Sequence, residues 1–211
     1  MIVNAWFHSY YARVNDPADI TRLKIRELKR TDWHYIQMLF GSKGACGGCW
    51  CMHWRVERGG KLWEAAKGEP NRRAFKELVE TGKAHGILAF DSAQPVAWCS
   101  FGKRTDFPRL ETAKVYQRED IRRVWSINCF FLTKDYRGIG LSYLLTEAAI
   151  KAIRRRKGTL IEAYPVTLTR EGKQLPAAFS FTGPERIFQK LGFREIQRLS
   201  ASRPLYQLVC A

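Results

Sequence analysis

Between Leu23 and Leu28 the order Leu-Lys-Ile-Arg-Glu-Leu alternates apolar with charged residues, which turns one face of an extended segment inward and predicts a strand. Thr31 and Asp32 then offer capping oxygens to a short helix that runs to Phe40 and stops at Gly41. Residues 42 to 60, rich in Gly, Cys and Trp, hold no period and read as a loop. Pro70 suits a first helical position, and the helix continues over Arg73 to Glu80 until Gly82 closes it.

Beyond that point the texture changes. His85 to Phe90 and Val96 to Phe101 are apolar runs joined by Asp91-Ser92-Ala93-Gln94-Pro95, a hairpin-like pair, and Val124 to Leu132 is a third strand. After Tyr136-Arg137-Gly138-Ile139-Gly140, apolar residues at Leu141, Leu144, Leu145, Ala148, Ala149 and Ala152 follow a helical spacing. Leu160 to Val166 predicts another strand and Thr167 to Ser180 a polar connection. Thr182-Gly183-Pro184-Glu185 has the form of a capping box that opens a helix through Leu191, ended by Gly192. Phe193 to Arg198 and Leu205 to Cys210 complete a terminal strand pair. Residues 1–21, with Trp6, Phe7, Tyr10 and Tyr11 ahead of an Asn15-Asp16-Pro17 turn, read as an N-terminal extension, and residues 22–211 as one domain.

Composition narrows the class. The 211 residues are 45% hydrophobic, with seven Trp, twelve Phe and eight Tyr, which excludes disordered and collagen-like chains and suits one domain with an appendage. No apolar run reaches the ~18 residues of a membrane span. Met1 to Trp6 lacks the basic head and long apolar stretch of a secretion signal, so a soluble, cytoplasmic protein without a membrane partner is expected. Lys and Arg total 36 against 20 acidic residues, a formal charge of +16 with one dense knot over Lys151, Arg154, Arg155, Arg156 and Lys157. Such a surface suits the phosphates of a nucleic acid or of a phosphorylated cofactor, or it is simply solvated. The six cysteines are expected to be reduced, with Cys99, Cys129 and Cys210 packed in apolar runs.

Two constellations carry chemistry. In the first, a strand leads through Arg137-Gly138-Ile139-Gly140-Leu141-Ser142 into a long helix. Glycines let the backbone approach an anion, and the free N–H groups of a helix start bind phosphate without any side chain. It is not a Walker loop, for no Gly-Lys-Ser/Thr follows, nor the dinucleotide fingerprint, for the third glycine is missing.

The order of elements, this turn and the segment Phe188-Gln189-Lys190-Leu191-Gly192-Phe193 together resemble the GNAT superfamily of acetyl-CoA-dependent N-acetyltransferases over about residues 22 to 210. Ser142 stands where that family's Arg/Gln-x-x-Gly-x-Gly/Ala turn ends in a small apolar residue, and Phe188 replaces a tyrosine. The resemblance implies a single α/β (α+β) domain with a central mixed, mostly antiparallel sheet flanked by helices. It implies acetyl-CoA as co-substrate, held by Phe130, Leu132, Arg137, Gly138, Ile139, Gly140, Leu141, Ser142 and Phe188, and an amine of a small molecule or a protein as acceptor. It also implies that the strand Val124 to Leu132 parts from the strand Leu160 to Val166 to leave a cleft for the thioester. No Asp or Glu lies between Val124 and Leu132, where many relatives place a base, so Glu162 and Tyr164, on one side of the next strand, are the expected catalytic base and acid respectively. A rival expectation keeps the fold without catalysis, as a regulatory protein that binds nucleic acid through its charge.

The second constellation is Cys46-Gly-Gly-Cys49-Trp50-Cys51-Met-His53-Trp54. Three thiols and an imidazole are zinc ligand types, but their spacing is cramped, and Cys46 and Cys49 have the spacing of a redox pair. The third reading, an apolar wall of the acceptor pocket, assigns Cys49, Trp50, Cys51, His53 and Trp54 to the substrate and no residue to a metal; His53 is then a second candidate base.

Overall fold

The computed structural model describes residues 19–56, 60–112, 123–167, 169–170, 173–174 and 179–210. The expected N-terminal extension therefore lies almost wholly outside the described residues. Seven strands form one sheet: β1 (Lys24–Glu27), β2 (His85–Asp91), β3 (Gln94–Lys103), β4 (Val124–Leu132), β5 (Leu160–Ala163), β8 (Arg194–Ser200) and β9 (Arg203–Val209), in the order β1-β2-β3-β4-β5-β9-β8. The β4–β5 pairing is parallel and the others are antiparallel, as expected of a mixed, mostly antiparallel sheet. Two short strands, β6 (Thr169–Arg170) and β7 (Lys173–Gln174), pair with each other inside the connection expected to be irregular.

Helices cover both faces. On one lies α5 (Leu141–Arg155), whose Leu141, Leu145, Ala149, Ala152 and Ile153 meet Ile87, Ala97, Phe101, Ile127 and Ile161, the inward set of alternate strand positions. On the other lie α1 (Trp33–Phe40) and α3 (Glu69–Glu80), packed with Trp50 to Met52 over Leu88, Phe90 and Trp98. A third cluster joins Trp54 and Tyr164 to Phe107 and to Leu110 of α4 (Pro108–Thr112). No described helix is long and apolar enough to cross a membrane.

Several expectations change at element ends. Asp32 does not cap α1 with its side chain; it accepts from Lys29 N at 2.7 Å and from Arg26 at 2.5 Å, stapling β1 to the helix. Gly60–Ala66, which starts at the last residue of the expected loop, is a further helix, α2. Thr182 is not a cap either: Pro184 is the N-cap of α6 (Glu185–Lys190), and the Glu185 carboxylate accepts from Thr167 and Arg198 instead. Cys99 is fully buried as expected, whereas Cys129 and Cys210 are half-buried.

Two local features open the sheet. Pairing of β3 with β4 shifts register beside Ser100, so that Phe101 faces Ile127 while Ser100 faces Cys129, and Asn128 is left as the extra residue of a bulge. Pairing of β4 with β5 ends at Ile127 and Ala163. Pro165 follows two residues later, without an N–H to continue the ladder, so the strand expected to reach Val166 stops at Ala163, and Val166 makes only an isolated bridge to Pro184. The far half of β4 thus loses its parallel neighbour.

Candidate functional site

A cleft of about 1420 Å³ opens where β4 and β5 part. Phe130, Phe131 and Leu132 form its floor, residues 137, 138 and 140 to 144 one wall, and the segment from Ser180 through α6 the other. Phe130 N donates to the Phe181 carbonyl at 2.6 Å, so the 180–184 segment takes up part of the edge that β5 vacates.

The glycine turn is held from below. Tyr136 donates to Asp91 at 2.6 Å, tying the turn to the β2–β3 hairpin, and Arg137 Nε donates to the Leu132 carbonyl at 3.0 Å. Gly138 and Gly140 have φ of 81° and 90°, a left-handed backbone that L side chains resist. A Cβ at Gly138 would meet nothing within 4 Å and one at Gly140 only Ile20, at 3.8 Å, so both backbones border open space. Gly140 is the N-cap of α5 and supplies no side-chain cap, which leaves the first helical N–H groups directed at the cleft with the positive end of the helix dipole. Arg186 and Lys190 of α6 line the opposite wall, so cations face the same space.

Of the residues expected to hold the cofactor, Phe130, Leu132, Arg137, Gly138, Gly140, Leu141 and Ser142 line this cleft. Ile139 and Phe188 do not. Ile139 packs on the core under α5, and Phe188 is fully buried with its ring edge-on to Phe130 and Phe193.

Glu162 and Tyr164 do share one side of β5, but that side is sealed. Glu162 is 0% exposed and ion-paired to Arg104, also 0% exposed. Tyr164 donates to the Glu162 carboxylate at 2.8 Å, Gln207 donates to its other oxygen at 3.0 Å, and Ser126 lies 3.1 Å from the Tyr164 hydroxyl. Burial, then the Glu162 charge, pushes the Tyr164 phenol well above its ordinary value. Neither residue lines the cleft. The geometry is that of a buried ion pair with its hydrogen bonds satisfied, which orders a core and leaves no exposed oxygen to take a proton from an acceptor.

The Cys-Trp segment divides. Ala45 and Cys46 line the cleft, while Cys49, Trp50, Cys51, His53 and Trp54, the expected acceptor wall, do not. Trp50 packs on Trp33 and Phe40, and the Trp54 indole donates to the Asn128 carbonyl at 2.8 Å, fastening the segment to the bulge. Among the described residues no group of three or more His, Cys, Asp and Glu side chains is placed to hold a metal ion.

His53 stands edge-on to Trp54, Trp63 and Phe181 with centroids 5.1 to 5.3 Å away, and Phe181 reaches the cleft. Burial, followed by the charges of Arg109 and Arg203, lowers its pKa to about 4. The folded protein therefore keeps His53 neutral over a range where the unfolded chain protonates it, so its contribution to stability is present above pH 6.5 and is lost as the pH falls toward 4. This residue alone should lower stability by about 2 kcal/mol between pH 7 and pH 5. Urea denaturation of His53→Gln beside the parent protein checks it: the variant should be less pH-dependent by that amount, and parallel pH curves would refute it.

No family model matches the chain, and no curated protein matches it. Solved structures do. A GCN5-related N-acetyltransferase from Kribbella flavida superposes with a TM-score of 0.55 at 14% identity, over 91% of this chain and 100% of that one. An N-acetyltransferase from Thermoplasma acidophilum, solved with coenzyme A, gives 0.51 at 13% identity over 89% and 99%. An acetyltransferase from Salmonella typhimurium, solved with acetyl-CoA, gives 0.52 at 14% identity over 89% and 94%. The chain has the GNAT fold.

Within the GNAT fold the turn at residues 137–142 and the parting of β4 from β5 fall where the sequence resemblance puts them. Sequence reasoning missed the other wall. Ser180, Phe181, Gly183 and Pro184 border the cleft, yet they lie beside a stretch whose polar composition suggested only a connection. The signal was Pro165: a strand that must end there leaves an edge for another segment to cover.

Proposed function

We propose that this protein is an acyltransferase that moves acetyl from acetyl-CoA directly to a primary amine of a small-molecule or protein acceptor. The observation that carries the reading is the cleft between β4 and β5 with an uncapped helix start and two left-handed glycines at its mouth. The coenzyme A and acetyl-CoA in the Thermoplasma acidophilum and Salmonella typhimurium structures support it. Backbone N–H groups from Gly138 to Ser142 would hold the pyrophosphate, and the apolar floor of Phe130 and Leu132 would take the pantetheine arm.

The chemistry requires a neutral amine to attack the thioester carbonyl, an oxyanion to form and a thiolate to leave. An alkylammonium has a pKa near 10.4 on the lysine scale, so an enzyme acting on one at neutral pH must remove a proton. Glu162 is sealed from the cleft, and His53, with a pKa of about 4, is neutral but a weak acceptor for so basic a group. These magnitudes favour an amine that is already neutral near pH 7, such as an aryl amine, which needs no protein base before attack.

Thiol release from acetyl-CoA, measured with a chromogenic disulfide against a panel of aryl and alkyl amines, tests the function. Saturable release with an aryl amine is expected, and alkyl amines should react only as rising pH deprotonates them. A folded protein that binds coenzyme A yet releases no thiol with any amine would remove the catalytic reading and leave a cofactor-binding one.

A further inference from the structure

Outside the cleft, sulfurs gather beneath the segment that precedes α2. Cys51 is 6% exposed, Cys99 is 0% exposed, and Cys129 lies on β4 beside them. The backbone singles out Cys51. Trp50 and Cys51 both adopt left-handed conformations, with φ of 46° and 59°, although neither is glycine. Such conformations cost about 1–3 kcal/mol each and persist only where the surroundings enforce them.

This backbone aims Sγ of Cys51 at donors. The Trp98 indole N–H donates to it at 3.2 Å. Cys129, the register partner of Ser100 across β3 and β4, packs against the same cluster as Cys51. The Arg55 guanidinium acts on the same sulfur, and its Nε and Nη2 are buried with no hydrogen-bond partner among the described residues. A neutral thiol is a weak acceptor. An indole N–H on the sulfur, a second thiol packed in the same cluster and the charge of a buried guanidinium make a thiolate site.

We propose that Cys51 and Cys129 form a peroxide-reactive thiol pair that takes a small hydroperoxide as its oxidant. The Cys51 thiolate attacks the nearer peroxide oxygen, the O–O bond breaks, and the departing oxygen leaves as an alcohol or as water once protonated, so that Cys51 becomes a sulfenic acid. The Cys129 sulfur then attacks the Cys51 sulfur, its proton leaves with the expelled hydroxyl as water, and an S–S bond forms. Two thiols lose two electrons and the peroxide gains them. The electrostatics agree with this division of labour. The interaction with Cys129, with help from Trp98 and Arg55, lowers the Cys51 pKa against the effect of burial, and the same interaction, followed by burial, raises Cys129 well above the ordinary thiol range. Cys49, pushed up to about 11 by burial and by Cys51, is the poorer nucleophile.

The test treats the full-length protein with a small molar excess of hydrogen peroxide at neutral pH, alkylates it after denaturation and maps the thiols by mass spectrometry. The product should be lighter by two hydrogen atoms, carry a Cys51–Cys129 cross-link and revert with a dithiol. Iodoacetamide, which is bulkier, should label exposed Cys46 in the native protein and spare Cys51. In Cys129→Ser, dimedone added together with the denaturant should trap a sulfenic acid on Cys51. If that variant does not fold, the cross-link map of the unaltered protein decides alone. A cross-link between Cys46 and Cys49, or oxidation confined to Cys46 while Cys51 and Cys129 remain fully alkylatable, would overturn the proposal. None of these readouts depends on acetyl transfer.

Discussion

Glu162→Ala should destabilise the protein by about 3–5 kcal/mol, enough to unfold much of a marginally stable domain. The side chain is 0% exposed, and its loss would leave Arg104, itself 0% exposed, with Glu111 at 2.9 Å and the Leu110 carbonyl at 3.4 Å but without its buried partner. Gln207 and Tyr164 would lose an acceptor in the same change. The cost comes from buried groups, Arg104 among them, that each lose an acceptor rather than from the worth of one bond, so removing both charges should be milder. Glu162→Leu combined with Arg104→Met should therefore recover a large part of the loss. Urea denaturation of the two variants measures this. The same pair separates a structural role from a catalytic one, because a catalytic carboxylate would leave the double variant stable but inactive. A Glu162→Ala protein as stable as the parent would show that the network carries little energy.

The sequence reading of this network stopped one step short for a physical reason. Period-two alternation put Glu162 and Tyr164 on one side of β5, and they do lie there. What alternation cannot report is which distant segment covers that side, and Arg104, 58 positions away, arrives only through the turn that follows β3. The limits of β4, Val124 to Leu132, were legible because both ends coincide with changes from apolar to polar residues. The glycine turn was legible because only glycine makes left-handed backbone cheap. Trp50 and Cys51 show the converse: nothing in a tryptophan or a cysteine calls for positive φ, and tertiary packing alone imposes it. Phe181 belongs to the same class, since its backbone carbonyl takes the Phe130 N–H on the edge that β5 vacates and no side-chain pattern encodes that bond.

Gly140→Val should leave the fold in place and weaken coenzyme A binding roughly a hundredfold, about 2.7 kcal/mol. The volume is tolerated, since a Cβ there would meet only Ile20 at 3.8 Å. The backbone is not: at φ 90° a β-branched residue is strained by about 1–2 kcal/mol, and the turn would relax toward negative φ to relieve that strain. Relaxation swings the N–H groups of Leu141 and Ser142 away from the pyrophosphate. The loss of one to two charge-assisted hydrogen bonds at about 1.5–3 kcal/mol each accounts for an effect of this size. Ser142→Ala is the control, because it deletes a hydroxyl while keeping the N–H; if the backbone holds the phosphates, its affinity should stay within about threefold of the parent, a difference under 1 kcal/mol. Calorimetric titration of coenzyme A into both variants, with circular dichroism to confirm folding, reads the result. Unchanged affinity in a folded Gly140→Val protein would move the pyrophosphate away from the helix start and, with it, the observation on which the acetyltransferase reading stands.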